Sequence, residues 1–317
     1  MKLPGSDASD FQATASLHQY LGSWGPLGVR SKRMLGDIGL RASASWPRSR
    51  LTPTGAPLEF CFAEEGGGLR YTVECGAPRA NPELRLSDIC KFLLRRGVPL
   101  PIDLLERVTD FQSRGLLTYG AWLGVRHDYV DDRFKIYAEV PPAAAPSAEA
   151  WVAGILGAPL RLPGPAATIK MFGLSAGSVR VEAYYASVDM LRGGLSMAME
   201  RVGLSSASDA VLAVVDGMTP FSPGARLPAR DVGFSYAFAP GEPEAVFTLY
   251  LVARKLFGDD QACAEWIGGR LPGHGDLMRV LSAAPPGVTH HGMVGLSIAA
   301  GFARPILSAG VAAPWMS

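Results

Sequence analysis

Leu58-Glu59-Phe60-Cys61-Phe62 and Leu69-Arg70-Tyr71-Thr72-Val73 flank a glycine-rich turn and alternate apolar with more polar side chains. Successive side chains of a β-strand point to opposite faces of the sheet. Each of these strands therefore has one apolar face and one face that carries groups such as Glu59 or Arg70. Two alternating runs joined by a glycine-rich turn are typical of a β-hairpin. The pair predicts a hairpin from about Leu58 to Glu74.

The same pattern recurs along the rest of the chain. Further hairpins are expected at Tyr119–Val140, Thr168–Tyr185, Val232–Val252 and Gly292–Val311. Glycine or proline lies in the turns Ser175-Ala176-Gly177 and Pro240-Gly241-Glu242-Pro243 and between residues 301 and 305, while the second hairpin turns near residues 129–132.

Helical patterns precede each hairpin. We expect two helices within Phe11–Leu40, two within Leu86–Arg114 that start at Ser87-Asp88, a short helix over Ser147–Leu156, a pair within Val188–Val215 and a pair within Asp259–Leu281 that breaks at Pro272-Gly273. The order is helices followed by two strands, five times over, which indicates a repeat architecture.

The helices need an apolar surface to pack on, so the polar face of the sheet must point away from them. That arrangement allows an open sheet facing water or a closed barrel with a charged interior. Closure removes the exposed edges of a sheet, and strands joined by short turns are antiparallel. We therefore predict an α/β (α+β) fold: a ten-stranded antiparallel barrel ringed by helices, formed as one domain by residues 1–317.

The charge balance argues against two classes of partner. The chain has 30 basic and 29 acidic residues, a net charge of +1, and no prominent basic run. Nucleic acid and anionic membranes are therefore not expected partners. Residues Met1–Asp10 lack the apolar stretch of a signal peptide, and the uncharged run Val280–Ala303 is interrupted by Pro285-Pro286.

The four cysteines show no C-x-x-C spacing. Cys61 and Cys75 are placed to face each other across the first hairpin, but reduced thiols are the favoured interpretation. We expect a cytoplasmic protein.

The alternation collects a polar set on the inward face of the predicted barrel. Its members are Glu59, Arg70, Trp122, Arg126, Lys135, Tyr137, Glu139, Lys170, Arg180, Glu182, Tyr184, Thr248 and Tyr250. Cations that converge from several strands, with phenol hydroxyls between them, suit a phosphate-rich anion. The alternative is an ordinary solvated face.

Several of these segments resemble the dimethylallyltryptophan synthase type of aromatic prenyltransferases, whose fold is the PT barrel of the ABBA superfamily. The similar segments are Thr54-Gly55-Ala56-Pro57-Leu58-Glu59, Leu69–Glu74, Lys135-Ile136-Tyr137, and Thr248–Arg254 followed by Gly258-Asp259-Asp260. Their order and their places in successive hairpins carry the resemblance, which covers most of the chain after about residue 50. Some bacterial peptide prenyltransferases share the fold and similar motifs.

The resemblance implies transfer of a dimethylallyl or geranyl group from its diphosphate to an electron-rich aromatic ring, an indole above all, in secondary metabolism. Charge develops on the leaving diphosphate, and fixed cations aimed at it lower the barrier. By resemblance, the diphosphate site is formed by Arg70, Lys135, Arg180, Lys170, Tyr137, Tyr184 and Tyr250. The tyrosine rings also shield the allylic cation from water.

The resemblance also assigns Glu59 as the acceptor of a hydrogen bond from the indole N–H. The alternative for Glu59 is a structural ion pair with Arg70 across the hairpin. The acceptor pocket is expected to include Trp122, Arg126 and Thr248, although Trp122 also fits a core position. Arg126 lies on the strand where the family carries a lysine linked to proton removal, and an arginine stays protonated. A positioning role therefore suits Arg126 better than proton removal.

Two positions depart from the family pattern. Glu182 stands where the family usually has a second lysine, which reduces the positive charge near the diphosphate unless Lys170 substitutes for it. The last strand, Ile306–Ala313, lacks the tyrosine that the family tends to keep, so that wall is expected to be more open. Either change suits a bulkier donor or acceptor.

Other motifs have simpler interpretations. Gly173-Leu174-Ser175-Ala176-Gly177 fits the G-x-S-x-G elbow of serine hydrolases, but a β-pattern follows it where that elbow needs a helix. His290-His291 are adjacent and would face opposite ways on a strand. Asp131-Asp132 and Asp259-Asp260 form no complete aspartate-rich motif. We expect no metal site and no essential Mg²⁺, with the allylic diphosphate as co-substrate. A barrel that binds a small hydrophobic or phosphorylated metabolite without catalysis is the other interpretation of the chain.

Overall fold

Antiparallel strands close into a barrel in the computed structural model, which describes residues 17–39, 49–64, 68–76, 80–163, 167–219, 224–228, 230–242, 244–271 and 290–313. The strands are β1 (Leu58–Ala63), β2 (Leu69–Val73), β3 (Ala121–His127), β4 (Asp132–Glu139), β5 (Thr168–Ser175), β6 (Val181–Val188), β7 (Asp231–Phe238), β8 (Val246–Val252), β9 (His291–Ala299) and β10 (Ile306–Ala312). Each strand pairs with its sequence neighbour, and β1 pairs with β10 to close the ring. The predicted barrel of five hairpins is confirmed.

The helices of the described residues precede or connect the hairpins. They are α1 (Pro26–Ile38), α2 (Pro82–Arg95), α3 (Ile102–Gln112), α4 (Ala145–Leu156), α5 (Arg192–Glu200), α6 (Ser208–Asp216), α7 (Ala253–Phe257) and α8 (Asp260–Gly268). Residues 17–22 are also helical. The second helix expected within Asp259–Leu281, after Pro272-Gly273, lies outside the described residues.

The start predicted for the second helical region was wrong. Helix α2 begins at Pro82 rather than at Ser87, because Asn81 caps it: the Asn81 side chain accepts a hydrogen bond from the backbone N–H of Glu83 at 3.1 Å. Proline at the first helical position has no N–H to leave unpaired, so Asn81-Pro82 forms an efficient start signal.

Period-two alternation separates the core from the lumen. Leu58, Phe60 and Phe62 of β1 are buried against the surrounding apolar layer, and Glu59 and Cys61 lie on the opposite face. The core-facing side chains of the other strands, such as Phe234 and Phe247, continue this layer around the barrel. Burial of such side chains contributes about 1.5–3 kcal/mol each, which is why the apolar faces turn toward the helices.

The last hairpin is anchored to a helix by one carboxylate. Asp260 of α8 contacts the Nδ1 atoms of both His290 (3.0 Å) and His291 (2.7 Å), and it accepts hydrogen bonds from their backbone N–H groups. These contacts lower the pKa of Asp260 despite its burial. The expectation that the two histidines face opposite ways was wrong, because His290 precedes the strand and turns back to share the same carboxylate.

The four cysteines are free thiols, so Cys61 and Cys75 form no bridge. Among the described residues, none of the helices combines the length and the apolar character needed to cross a membrane.

Candidate active site

The lumen brings together most of the polar set predicted from the alternation. Trp122 lies opposite Tyr137 in the β3–β4 register, and Glu182 lies opposite the lumen-facing Gly173 in the β5–β6 register. Lys135 of β4 contacts Glu182 of β6, although these two strands are separated by β5. Contacts of this kind require both side chains to enter the interior of the barrel.

Three tyrosines form a cage around this centre. The rings of Tyr137 and Tyr184 meet edge-on with centroids 5.8 Å apart, and the rings of Tyr184 and Tyr250 are 5.9 Å apart. The Lys135 ammonium lies 5.4 Å from the Tyr137 ring and 5.6 Å from the Tyr184 ring, within cation–π range. The cage therefore already holds one cation against its aromatic faces.

Glu182 is the hub of the cage. It forms an ion pair with Lys135, accepts a hydrogen bond from the hydroxyl of Ser235, and accepts another from the Tyr250 hydroxyl at 3.2 Å. Lys135 also donates to the Tyr184 hydroxyl at 3.2 Å. The ion pair thus explains how a carboxylate is tolerated at a buried lumen position.

The protonation states follow from this pairing. Burial alone would raise the pKa of Glu182, but the Lys135 charge and the hydrogen bonds to the carboxylate lower it. Burial would lower the pKa of Lys135, and Glu182 raises it instead. Burial and the neighbouring Glu182 charge raise the pKa values of Tyr184 and Tyr250. The site therefore has a charged pair and neutral phenols at pH 7.

Glu59 occupies a different part of the lumen. It lies on β1, opposite Thr72 of β2 and Ala312 of β10, and burial raises its pKa to about 7. None of the ion pairs among the described residues joins Glu59 to Arg70, which is displaced along β2 and lies opposite Cys61. The arrangement argues against the alternative of a structural ion pair across the hairpin.

Two glycines make room for the Glu59 carboxylate. A Cβ atom at Gly310 of β10 would lie 2.7 Å from Oε1 and 2.8 Å from Cδ of Glu59. A Cβ at Gly292 of β9 would also run into Oε1. Both glycines have ordinary backbone angles, so it is the space beside the carboxylate that requires them. They hold Glu59 close to the β9–β10 wall.

Trp122 and Thr248 also lie in the lumen, in different environments. Trp122 stacks on Tyr119 with centroids 3.9 Å apart, and its indole N–H is buried without a hydrogen-bond partner among the described residues. A buried N–H of this kind suits a ligand group that accepts a hydrogen bond. The Thr248 hydroxyl is paired with that of Ser297 at 2.9 Å.

Four arginines lie at one end of the barrel. Arg70, Arg126 and Arg133 occupy successive cross-strand positions on β2, β3 and β4. Arg180 precedes β6 at the same end, where it contacts Glu242 at 3.6 Å and the Ala237 carbonyl at 3.4 Å.

Lys170 does not join these cations. It lies near the start of β5, at the opposite end of the barrel, in a register irregularity between Ile169 and Met171, and it is exposed. The irregularity interrupts the strict alternation on which its inward assignment depended. Lys170 is therefore not placed to add a positive charge near Glu182.

Glu139 lies on the same face of β4 as Tyr137, but its carboxylate is occupied by a loop. Its buried carboxylate accepts hydrogen bonds from the backbone N–H groups of Thr118, Tyr119 and Gly120 at 2.7–3.0 Å. The carboxylate thus supplies hydrogen-bond acceptors to the backbone N–H groups of the loop before β3, which is a structural role.

Sequence reasoning missed Arg133 and Ser235. Arg133 is two residues before Lys135 and on the same face, and Ser235 lies on the lumen face of β7 opposite Tyr184. The period-two alternation of β4 and β7 places both residues on the lumen face, so the sequence did contain a signal for each of them. Ser175 ends β5 and is followed by a turn and β6, so the strand-to-helix elbow of a serine hydrolase is not formed.

The barrel is similar to several solved structures over nearly their full length. The 5-dimethylallyltryptophan synthase from Streptomyces coelicolor has a TM-score of 0.76 at 18% identity, with 98% of this chain and 99% of that chain covered. The 6-dimethylallyltryptophan synthase from Micromonospora olivasterospora, in complex with DMASPP and Trp, has a TM-score of 0.71 at 20% identity, with 99% of each chain covered. AnaPT from Neosartorya fischeri has a TM-score of 0.63 at 12% identity, with 98% and 95% covered. No family model and no curated protein matches the sequence.

Proposed function

We propose that this chain, which has the PT-barrel fold of the dimethylallyltryptophan synthases, is an aromatic prenyltransferase that transfers an allylic group from its diphosphate to an electron-rich aromatic acceptor, with an indole as the favoured acceptor. One observation carries the proposal: a cage of Tyr137, Tyr184 and Tyr250 and a buried carboxylate, Glu59, lie in the same enclosed lumen. The two solved synthases of Streptomyces coelicolor and Micromonospora olivasterospora, named for this reaction on tryptophan, support the reaction class.

The first step is cleavage of the bond between the allylic carbon and the diphosphate oxygen. The bonding electrons leave with diphosphate, and an allylic cation remains. Lys135, Arg70 and Arg180 stabilise the charge that develops on the leaving group. The three tyrosine rings present electron-rich faces to the allylic cation and keep out water that would quench it.

The second step is attack by the aromatic ring. A ring carbon forms a bond to the allylic cation, and loss of a proton from that carbon restores aromaticity. Glu59 accepts a hydrogen bond from the indole N–H, which increases the electron density of the ring as it attacks. Trp122 and Thr248 contribute to the acceptor pocket, and the buried Trp122 N–H is free to bind a carbonyl or carboxylate oxygen of the acceptor.

The lumen face of the last hairpin favours a long donor. Gly295, Ser297, Ser308 and Gly310 line this wall with small side chains, and Ser308 lies against Gly295. Without a tyrosine on β10, the space beside Tyr250 suits a geranyl chain as well as a dimethylallyl group. Competition between the two diphosphates in one assay tests the preference.

The decisive experiment mixes the purified protein with dimethylallyl or geranyl diphosphate and a panel of indoles, including tryptophan and tryptophan-containing peptides. Mass spectrometry detects the prenylated product, and a coupled assay measures diphosphate release. A parallel reaction with EDTA tests the expected independence of Mg²⁺. Ligand binding without diphosphate release would instead support the non-catalytic barrel, and labelling of Ser175 by a fluorophosphonate would support a hydrolase.

A further inference from the structure

We propose that Arg126 and Arg133, together with Arg70, bind the terminal phosphate of the donor diphosphate, so that this phosphate is held by strands β2–β4. The inference rests on the proposed function and extends its diphosphate site by two residues. It follows from the register of the three arginines and from the neutralisation of Lys135 by Glu182.

The register places the three guanidinium groups side by side. Arg70 lies opposite Arg126, and Arg126 lies opposite Arg133, on the lumen-facing side of three adjacent strands. Directly opposed residues of an antiparallel pair have Cβ atoms about 4.5–5.5 Å apart. The long arginine side chains can therefore converge on a single phosphate group, and guanidinium groups bind phosphate oxygens in a bidentate manner.

Lys135 fixes the position of the second phosphate. It follows Arg133 by two residues on the same face of β4, which corresponds to about 7 Å along the strand. A diphosphate spans a similar length. One phosphate can thus contact Lys135 and the phenol hydroxyls of the cage, while the other reaches the three arginines at the end of the barrel.

The charges favour this division. Glu182 pairs with Lys135 inside the cage, so the two together contribute no net positive charge. Asp128 lies 3.8 Å from the Nε of Arg126 and 3.7 Å from the Nε of Arg133, and Asp131 lies 3.4 Å from the Nε of Arg133. These contacts are looser than the Lys135–Glu182 pair, and Asp128 is shared by two guanidinium groups, so the charges of Arg126 and Arg133 are less fully compensated than that of Lys135.

The arginines are also held near one another at an energetic cost. Burial lowers the pKa of Arg70, and the positive charge of Arg126 lowers it further. A like charge nearby disfavours the charged form, and a bound anion relieves this repulsion. Arg126 is half-buried and Arg133 is 63% exposed, so the row extends from the lumen to the solvent, where a diphosphate would enter.

Titration calorimetry with inorganic diphosphate tests the proposal. Arg126→Ala and Arg133→Ala should each weaken binding by about tenfold and reduce its dependence on salt concentration, as expected for the loss of a charge-assisted contact. Arg226→Ala is the matched control, because Arg226 is an exposed arginine paired with Asp189 at the opposite end of the barrel. Arg126→Lys and Arg133→Lys, which keep the charge, should weaken binding less.

The outcomes separate this inference from the proposed function. If Lys135→Ala weakens diphosphate binding while Arg126→Ala and Arg133→Ala bind like the wild type, the arginine row is not part of the site and the prenyltransferase proposal stands. If the wild type forms prenylated product but the arginine variants keep wild-type affinity and KM for the donor, the inference also fails. If the wild type binds no diphosphate and forms no product, both proposals fail.

Discussion

Lys135 and Glu182 form an ion pair across the lumen from two strands that are not neighbours in the barrel. The pair sets the electrostatics of the tyrosine cage, because Glu182 takes up the charge of the one lysine in its centre. A diphosphate that contacts Lys135 must compete with this carboxylate. Under the proposed function, we expect the buried anion to reduce donor affinity while it orders the cage.

Replacing Glu182 with glutamine should tighten the binding of inorganic diphosphate by about tenfold, since a charge that repels the ligand is removed. The free variant should also lose about 1–3 kcal/mol of stability, because Lys135 is left without its partner. Diphosphate should restore the melting temperature. Calorimetry and thermal unfolding measure both effects, with Glu106→Gln, at an exposed position of α3, as control. Weaker binding by Glu182→Gln would contradict the repulsion.

Glu59→Gln should lower kcat by about two orders of magnitude while leaving the fold intact, because an amide oxygen is a weaker acceptor for the indole N–H than a carboxylate. Donor affinity should stay unchanged, since Glu59 is assigned to the acceptor. Steady-state kinetics and circular dichroism check the two parts. Wild-type turnover in this variant would remove Glu59 from the mechanism.

The pH dependence should report the raised pKa of Glu59, which is about 7. Below that pH the carboxyl is protonated and accepts poorly, so kcat/KM should rise with pH through about 7 and then level off. Glu59→Gln should abolish this inflection. A profile for Glu59→Gln that is as steep as that of the wild type would assign the inflection to another group.

The free energy of unfolding should fall as pH rises, in the direction opposite to the change in kcat/KM. A carboxyl whose pKa is higher in the folded protein than in the unfolded chain binds its proton more tightly when folded. The wild type should therefore lose stability as pH rises from the ordinary glutamate pKa to about 7. Above pH 7, Glu59→Gln should be more stable than the wild type by about 1–3 kcal/mol, measured by urea unfolding.

Gly310→Ala should impair catalysis although glycine is not required there by the backbone. The new Cβ would collide with the Glu59 carboxylate and displace it from the β9–β10 wall. We expect a drop in kcat of at least tenfold and a shifted pH profile. Gly154→Ala on α4 is the control, because its Cβ would meet open space. Equal kinetics for the two variants would show that the position of Glu59 is not controlled by this wall.

Ser308→Tyr tests the open wall. A tyrosine at this lumen position of β10 would fill the space beside Tyr250 and Gly295. The ratio of kcat/KM for geranyl over dimethylallyl diphosphate should fall by about tenfold, since one pocket wall discriminates chains of this size by 1–3 kcal/mol. An unchanged ratio would place the donor chain against a different wall.

Much of the fold followed from local patterns. The period-two alternation in Leu58–Glu74 and in the later hairpins predicted the strands and the lumen face, and the fold comparison confirmed the barrel. The same alternation failed at Lys170, where the register slips, and it could not reveal that backbone N–H groups of a loop bind the Glu139 carboxylate. The local pattern also misplaced the start of helix α2, which lies at Pro82, because Ser87-Asp88 resembles a helix start as well.

The sequence by itself determined most of the side chains that face the lumen, because the alternation of a strand is a property of consecutive residues. Only the tertiary structure decided which of those side chains meet. Glu182 pairs with Lys135, the row of Arg70, Arg126 and Arg133 forms, and Gly310 makes room for Glu59, because closure and register bring distant strands to fixed separations. Partners across a barrel depend on that geometry, which no local period encodes.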